Sequence, residues 1–180
     1  MKCLIVYGTT EGQTRKIVGF LRDRLAENDH EVTLVDAVEP PAGLDPHSFD
    51  RVLVAGSVHI GKYQTAVEDW VRRKADVLSL KRAVFLSVSL AAAGTDEDDV
   101  QGLAQCVREF TRRTGWTPAV VHHVAGAFRY TEYDFFKRWA LKYIAWRKGG
   151  PTDTSRDYEL TDWDDLTRFA GDFADSMVEV

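Results

Sequence analysis

Five short apolar runs alternate with segments of helical spacing along this chain, and that alternation restricts its fold more than any other feature. Residues 2–7, 31–36, 51–55, 83–90 and 118–124 read as strands, and the longest of them is apolar on both alternating faces. Between them, Ile17, Val18, Leu21 and Leu25 recur at helical spacing, as do Val67, Trp70 and Val71 over 66–77. Val100, Leu103, Ala104, Val107 and Phe110 do the same over 98–114. Residues 37–48, with three prolines and one glycine, are a loop. Strand-helix repetition of this kind builds a parallel sheet covered by helices on both faces. The expected architecture is a doubly wound α/β fold with a five-stranded parallel sheet in the order 2-1-3-4-5. Ligands of such folds lie beyond the carboxyl ends of the strands, beside the switch between strands one and three. The loops after strands one, three and four are therefore the ones to inspect.

One globular domain, 1–180, accommodates the whole length. A net charge of −5, from 28 acidic and 23 basic residues, argues against a general nucleic-acid binder. The charge is uneven. Residues 133–148 carry Lys137, Arg138, Lys142, Arg147 and Lys148 against Asp134, a local +4 that leaves −9 for the rest. This segment, inside an insertion at about 131–150, reads as an extra basic, aromatic helix after strand five, closed by Gly149-Gly150-Pro151 and followed by a last helix over 162–177. Cys3 and Cys106 have neither metal-type nor redox-type spacing, and the opening apolar run is too short for a signal core or a membrane span. A cytoplasmic setting is expected.

Thr9, Thr10, Glu11, Gly12, Gln13 and Thr14 lie between the first strand and the first helix, where backbone N–H groups and the helix dipole favour an anion. The threonine hydroxyls add neutral donors, which suits a cofactor monophosphate. A lysine-bearing P-loop would need Gly-Lys-Ser/Thr, and Gly12-Gln13-Thr14 has no lysine. A dinucleotide fingerprint would need three glycines, and only Gly8 and Gly12 are present. After strand three, Ser57, Val58, His59, Ile60, Gly61 and Tyr63 occupy the place where an isoalloxazine ring would lie, with Tyr63 expected to stack on the ring or line its edge. After strand four, Ser89, Leu90, Ala91, Ala92, Ala93 and Gly94 bring small side chains and backbone amides to the same edge.

With these loops the chain resembles the flavodoxin superfamily and, within it, the flavodoxin-like menaquinone-dependent protoporphyrinogen oxidases of bacteria. The resemblance runs nearly end to end. It is carried by Gly12-Gln13-Thr14, by the Ser57–Tyr63 loop and by Ser87-Val88-Ser89-Leu90. Its more specific part is Ala125-Gly126-Ala127-Phe128-Arg129-Tyr130, Gly149-Gly150-x-Thr152-Asp153-Thr154 and Thr161-Asp162-Trp163. It implies FMN as cofactor, a porphyrinogen as hydrogen donor and a respiratory membrane quinone as electron acceptor. The competing functions are a flavodoxin-type electron carrier and an NAD(P)H:quinone reductase. Glu11 departs from the hydroxyl residue usual in flavodoxin loops and is expected to contribute only its N–H.

From Tyr133 to Lys148, aromatic residues gather near one helical face and cations lie around the rest. That composition suits an interfacial helix, hence peripheral contact with the cytoplasmic face of the inner membrane. Asp153 returns the chain toward the cofactor edge, to cap a turn or touch the flavin. A flavin supplies the redox chemistry itself, so no protein nucleophile is required. His59 is the candidate for moving protons near neutral pH. His122 and His123 fall on opposite faces of strand five, which disfavours a shared metal. The pairs Asp98-Asp99 and Asp164-Asp165 suit helix starts.

Overall fold

A computed structural model describes residues 1–94, 97–128 and 158–175. Its main sheet is parallel, in the order β2-β1-β3-β4-β5, formed by β1 (Lys2–Tyr7), β2 (Glu31–Asp36), β3 (Arg51–Ser57), β4 (Val84–Ser89) and β5 (Val120–Ala125). Four helices cover it among the described residues: α1 (Gln13–Ala26), α2 (Thr65–Leu80), α3 (Glu97–Thr114) and α4 (Trp163–Asp175).

The pleat sorts the core into two layers. Cys3, Ile5 and Tyr7 of β1 face α1 and α4, where they meet Ile17, Val18, Leu21, Leu166, Phe169 and Phe173. Leu4 and Val6 face the other way, toward Val67, Trp70 and Val71 of α2 and Phe110 of α3. Strand β4 is buried along its whole length, as a central parallel strand must be. Val84, Leu86 and Val88 enter the first layer and Phe85 the second. Phe85 stacks on Phe110, with centroids 4.5 Å apart and planes 4° from parallel, and meets Tyr63 and Trp116 edge-on.

Helix α2 runs three residues past its expected end, to Leu80, β5 starts two residues late, at Val120, and two further expectations change. Val100, read as part of the apolar stripe of α3, is 58% exposed. The first turn buries Asp99 and Leu103, and Val100 stands one residue further round the axis. Strand β3 runs two residues past its expected end, to Ser57, because Ala55, Gly56 and Ser57 remain paired with β4. The basic helix expected over 133–148 lies outside the described residues.

The two histidines of β5 do diverge. His122 Nε2 lies 2.8 Å from Asp165 Oδ2, and its ring stacks on Phe169 at 4.4 Å, tying the edge strand to α4. His123 is on the opposite face of the strand, where partial desolvation of its ring, with His122 beside it, pushes it below the usual histidine range. Asp162 Oδ1 accepts from Asp165 N and caps α4.

A second, antiparallel ribbon pairs β6 (Ala127–Phe128) with β7 (Tyr158–Glu159). It carries the chain out of the sheet after β5 and back again before α4. Its returning strand is fastened to α1. Glu159 accepts from Gln13 Nε2 at 2.7 Å and pairs with Lys16 Nζ at 2.8 Å. Thr161 Oγ1 accepts from Gln13 Nε2 at 2.9 Å and donates to the Ala125 carbonyl.

Candidate cofactor site

A cavity of about 300 Å³ opens at the carboxyl ends of β1, β3 and β4, the position the strand order predicts. Thr9, Thr10, Glu11, Gln13 and Thr14 line it from the first loop, Ser57, Val58, His59, Ile60 and Gly61 from the second, and Ser89, Leu90 and Ala91 from the third. Three contributors were not foreseen: Val88, Gly126 and Ala127. Gly126 and Ala127 sit where the chain leaves β5, held by the bond from Gly126 N to the Ser89 carbonyl.

The first loop is built to receive an anion. Gly12 adopts φ 85°, a left-handed conformation natural to glycine, and precedes α1 without offering a side-chain cap. The first turn of α1 contains no acidic residue, so its unpaired N–H groups present the positive end of the helix. Thr14 Oγ1 is buried and has no hydrogen-bond partner. Thr9 Oγ1 accepts from Gly12 N at 2.9 Å, which leaves its hydroxyl proton to point elsewhere. The cations that follow are directed away. Arg15 bonds Tyr7 Oη and Asp36, and Lys16 pairs with Glu159 and lies 5.0 Å over the Trp163 ring. Asp36, at the end of β2, is thereby engaged with Arg15. The loop therefore offers neutral donors, with an orphaned buried hydroxyl among them, and these fit a phosphate monoester.

The second loop turns on two residues. His59 and Lys62 exchange backbone bonds of 2.8 and 3.1 Å across Ile60 (φ 49°) and Gly61 (φ 73°), a pair of positive angles that a type I′ turn requires. Glycine takes this conformation readily, whereas a β-branched residue is strained by it. Ile60 nevertheless holds it with its side chain 77% exposed at the cavity rim. Strain kept at a site rim is a functional signature. Ile60→Asn is expected to stabilise the cofactor-free protein by about 1 kcal/mol and to weaken flavin binding, since asparagine suits the turn but removes the apolar rim. Melting of the cofactor-free protein together with a flavin titration checks both signs; an unchanged melting temperature would count against the strain.

The same turn corrects the placement of Tyr63. The chain reverses at Ile60-Gly61 and then enters the α2/α3 layer, so Tyr63 is 5% exposed and does not line the cavity. Its hydroxyl is 2.8 Å from Ser87 Oγ, and its ring meets Phe85 and Phe110 at 4.9 and 5.0 Å. Burial pushes its phenol far above the ordinary range. Tyr63 is a core residue.

The third loop also supplies less than expected. Residues Ala91–Ala93 form one 3-10 turn, in which Ala92 N donates to Ser89 Oγ, Ala93 N to Leu90 O and Gly94 N to Ala91 O. Those amides are occupied, and Ala92, Ala93 and Gly94 do not line the cavity. Gln13 lines it, but its side-chain amide is committed to Glu159 and Thr161. Asp153 lies outside the described residues. Gln64, which the sequence did not single out, fastens the first two loops together through Thr10 and Ser57. Burial pushes the thiols of Cys3 and Cys106 up, away from the thiolate form.

A βα phosphate loop, a switch-point cavity and three converging loops define a flavin-binding α/β protein, and the chain belongs to the flavodoxin domain family, which matches residues 4–155. Its fold is that of solved flavodoxins. Flavodoxin 1 from Bacillus cereus superposes with a TM-score of 0.54 at 13% identity, covering 96% of this chain and 97% of that one. Flavodoxin 2 from the same organism gives 0.54 at 16%, covering 97% and 98%. More similar in sequence is the protoporphyrinogen IX dehydrogenase (quinone) of Escherichia coli K12, 32% identical over 176 residues, spanning 97% of this chain and 95% of that protein. The protein of the same name from Leishmania major is 31% identical over 173 residues, 96% of this chain and 74% of that one. The chain is thus a flavodoxin-like oxidoreductase with FMN as its cofactor.

Proposed function

We propose that this chain oxidises a protoporphyrinogen and passes the electrons to a membrane quinone. The observation that carries this reading is the 32% identity to the quinone-linked dehydrogenase over 97% of the chain. When bound, FMN supplies the redox chemistry, accepting hydrogen from the donor and releasing electrons to the acceptor. The chain's own residues hold and shield it. Thr9, Thr10, Thr14 and the first N–H groups of α1 receive the phosphate. Val58, Ile60, Val88, Leu90, Ala91 and Ala127 give the rest of the cavity an apolar wall, which suits a flat ring system and keeps water from it. His59 lines the cavity, and its imidazole is the group we assign to take or return a proton as the donor is oxidised.

The test is direct. Anaerobic FMN-loaded protein mixed with protoporphyrinogen and a menaquinone analogue is expected to generate porphyrin fluorescence in proportion to the quinone consumed. Fluorescence no faster than in protein-free controls would overturn the reading, and reduction of the quinone by NAD(P)H in its place would favour a nicotinamide-linked reductase.

The acceptor's location adds a second element. Among the described residues no helix is long and apolar enough to cross a membrane. The +4 charge and the aromatic residues of 133–148 support peripheral contact with an anionic bilayer. Sedimentation with anionic but not neutral liposomes is the outcome this element requires.

A further inference from the structure

Gln64 ends the turn that carries Tyr63 into the core and stands immediately before α2. Its side chain makes three bonds, and one of them fixes the orientation of the amide. Ser57 N donates to Gln64 Oε1 at 3.1 Å, and a backbone N–H has no other role. The opposite end of the amide is therefore the NH₂ group. It meets Thr10 Oγ1 at 3.0 Å and Ser57 Oγ at 2.5 Å. An NH₂ group only donates, so both hydroxyl oxygens are obliged to accept. Each hydroxyl proton must then point away from Gln64, and Thr10 and Ser57 both line the cavity.

We infer that Gln64 is a positioning residue that sets the polarity of the cofactor site: it turns the Thr10 and Ser57 hydroxyls into donors aimed at acceptor atoms of the bound flavin nucleotide. Thr9 Oγ1 is polarised in the same sense by Gly12 N. Among the described residues the site thus presents hydroxyl protons to the ligand and no lysine or arginine lines it, as an anionic phosphate held by neutral groups needs. One glutamine, outside the cavity wall, orients donors on two separate loops.

The inference rests on FMN being the cofactor, and the experiment separates the two. Gln64→Leu removes the donor and is expected to weaken FMN binding about tenfold, read by quenching of flavin fluorescence. In a Thr10→Val/Ser57→Ala background the same change is expected to have a much smaller effect, because only the bond from Ser57 N remains to be lost. A residue that merely supports the fold would weaken binding equally in both backgrounds. Gln64→Glu keeps the acceptor for Ser57 N but replaces the donor by a carboxylate, which draws the hydroxyl protons to itself. Its FMN affinity is expected to fall further than that of Gln64→Leu and to recover as the pH is lowered through the carboxylate range. Equal loss in both backgrounds, or a pH-independent Gln64→Glu, would overturn the inference with FMN binding intact. Failure of the unmodified protein to bind FMN would instead overturn the cofactor reading.

Discussion

Replacing Phe85 by alanine is expected to remove about 3–5 kcal/mol of stability, the usual loss for a fully buried aromatic ring. Phe85 has no exposure, stacks on Phe110 and meets Tyr63 and Trp116 edge-on, so the cavity left behind is walled by rings that cannot easily collapse into it. For a chain of this length the melting temperature should fall by roughly 10 °C or more. The damage should also reach the site, because Phe85 supports the Tyr63 ring whose hydroxyl meets Ser87 in the same strand. Urea denaturation of the cofactor-free and FMN-loaded forms measures both effects. A loss below about 1 kcal/mol would mean that the ring cluster is not the keystone of the α2/α3 layer.

Thr14→Val is expected to have opposite effects on stability and on binding. Its hydroxyl is buried without a partner, so a methyl of the same shape should leave the cofactor-free protein as stable as before or slightly more so. The hydrogen bond to a charged phosphate disappears, however, and such bonds contribute about 1.5–3 kcal/mol. FMN affinity should therefore drop by about ten- to a hundredfold, while riboflavin, which lacks the phosphate, should bind as before. Parallel fluorescence titrations with the two flavins provide the test. An equal loss for both would remove Thr14 from the phosphate contact.

The sheet was legible because its signals are local and repeated. Apolar runs named the strands to within two residues at most ends, and their order followed from the layered packing that such runs require. The place of the first loop at the cavity was legible for a similar reason, since the turn between β1 and α1 is fixed by the fold and owes little to side-chain direction. What the sequence hid was orientation. Tyr63 lies two residues after Gly61, close enough to read as a ring partner, but a tight turn at Ile60 sends it into the core. The amides after Ser89 looked available until a single 3-10 turn used them internally. Gln13 and Gln64 were invisible as braces because their partners, Glu159 and Thr161 for one and Thr10 and Ser57 for the other, are brought near only by the tertiary fold. Gly126 and Ala127 belong to the segment that carries the family resemblance, and the bond from Gly126 N to Ser89 O brings them to the cavity.

The short ribbon of Ala127–Phe128 with Tyr158–Glu159 also bears on how this fold can change. Phe128 and Tyr158 are register partners, so two points thirty residues apart in sequence meet at one doorway. Chain ends paired in that way tolerate changes in the length of the sequence between them without rerouting a strand of the main sheet. The doorway borders the cofactor cavity through Gly126 and Ala127, and its returning strand grips the start of α1 through Glu159. One short ribbon thus ties the exit from β5, the rim of the cavity and the start of α1 to a single point of the fold.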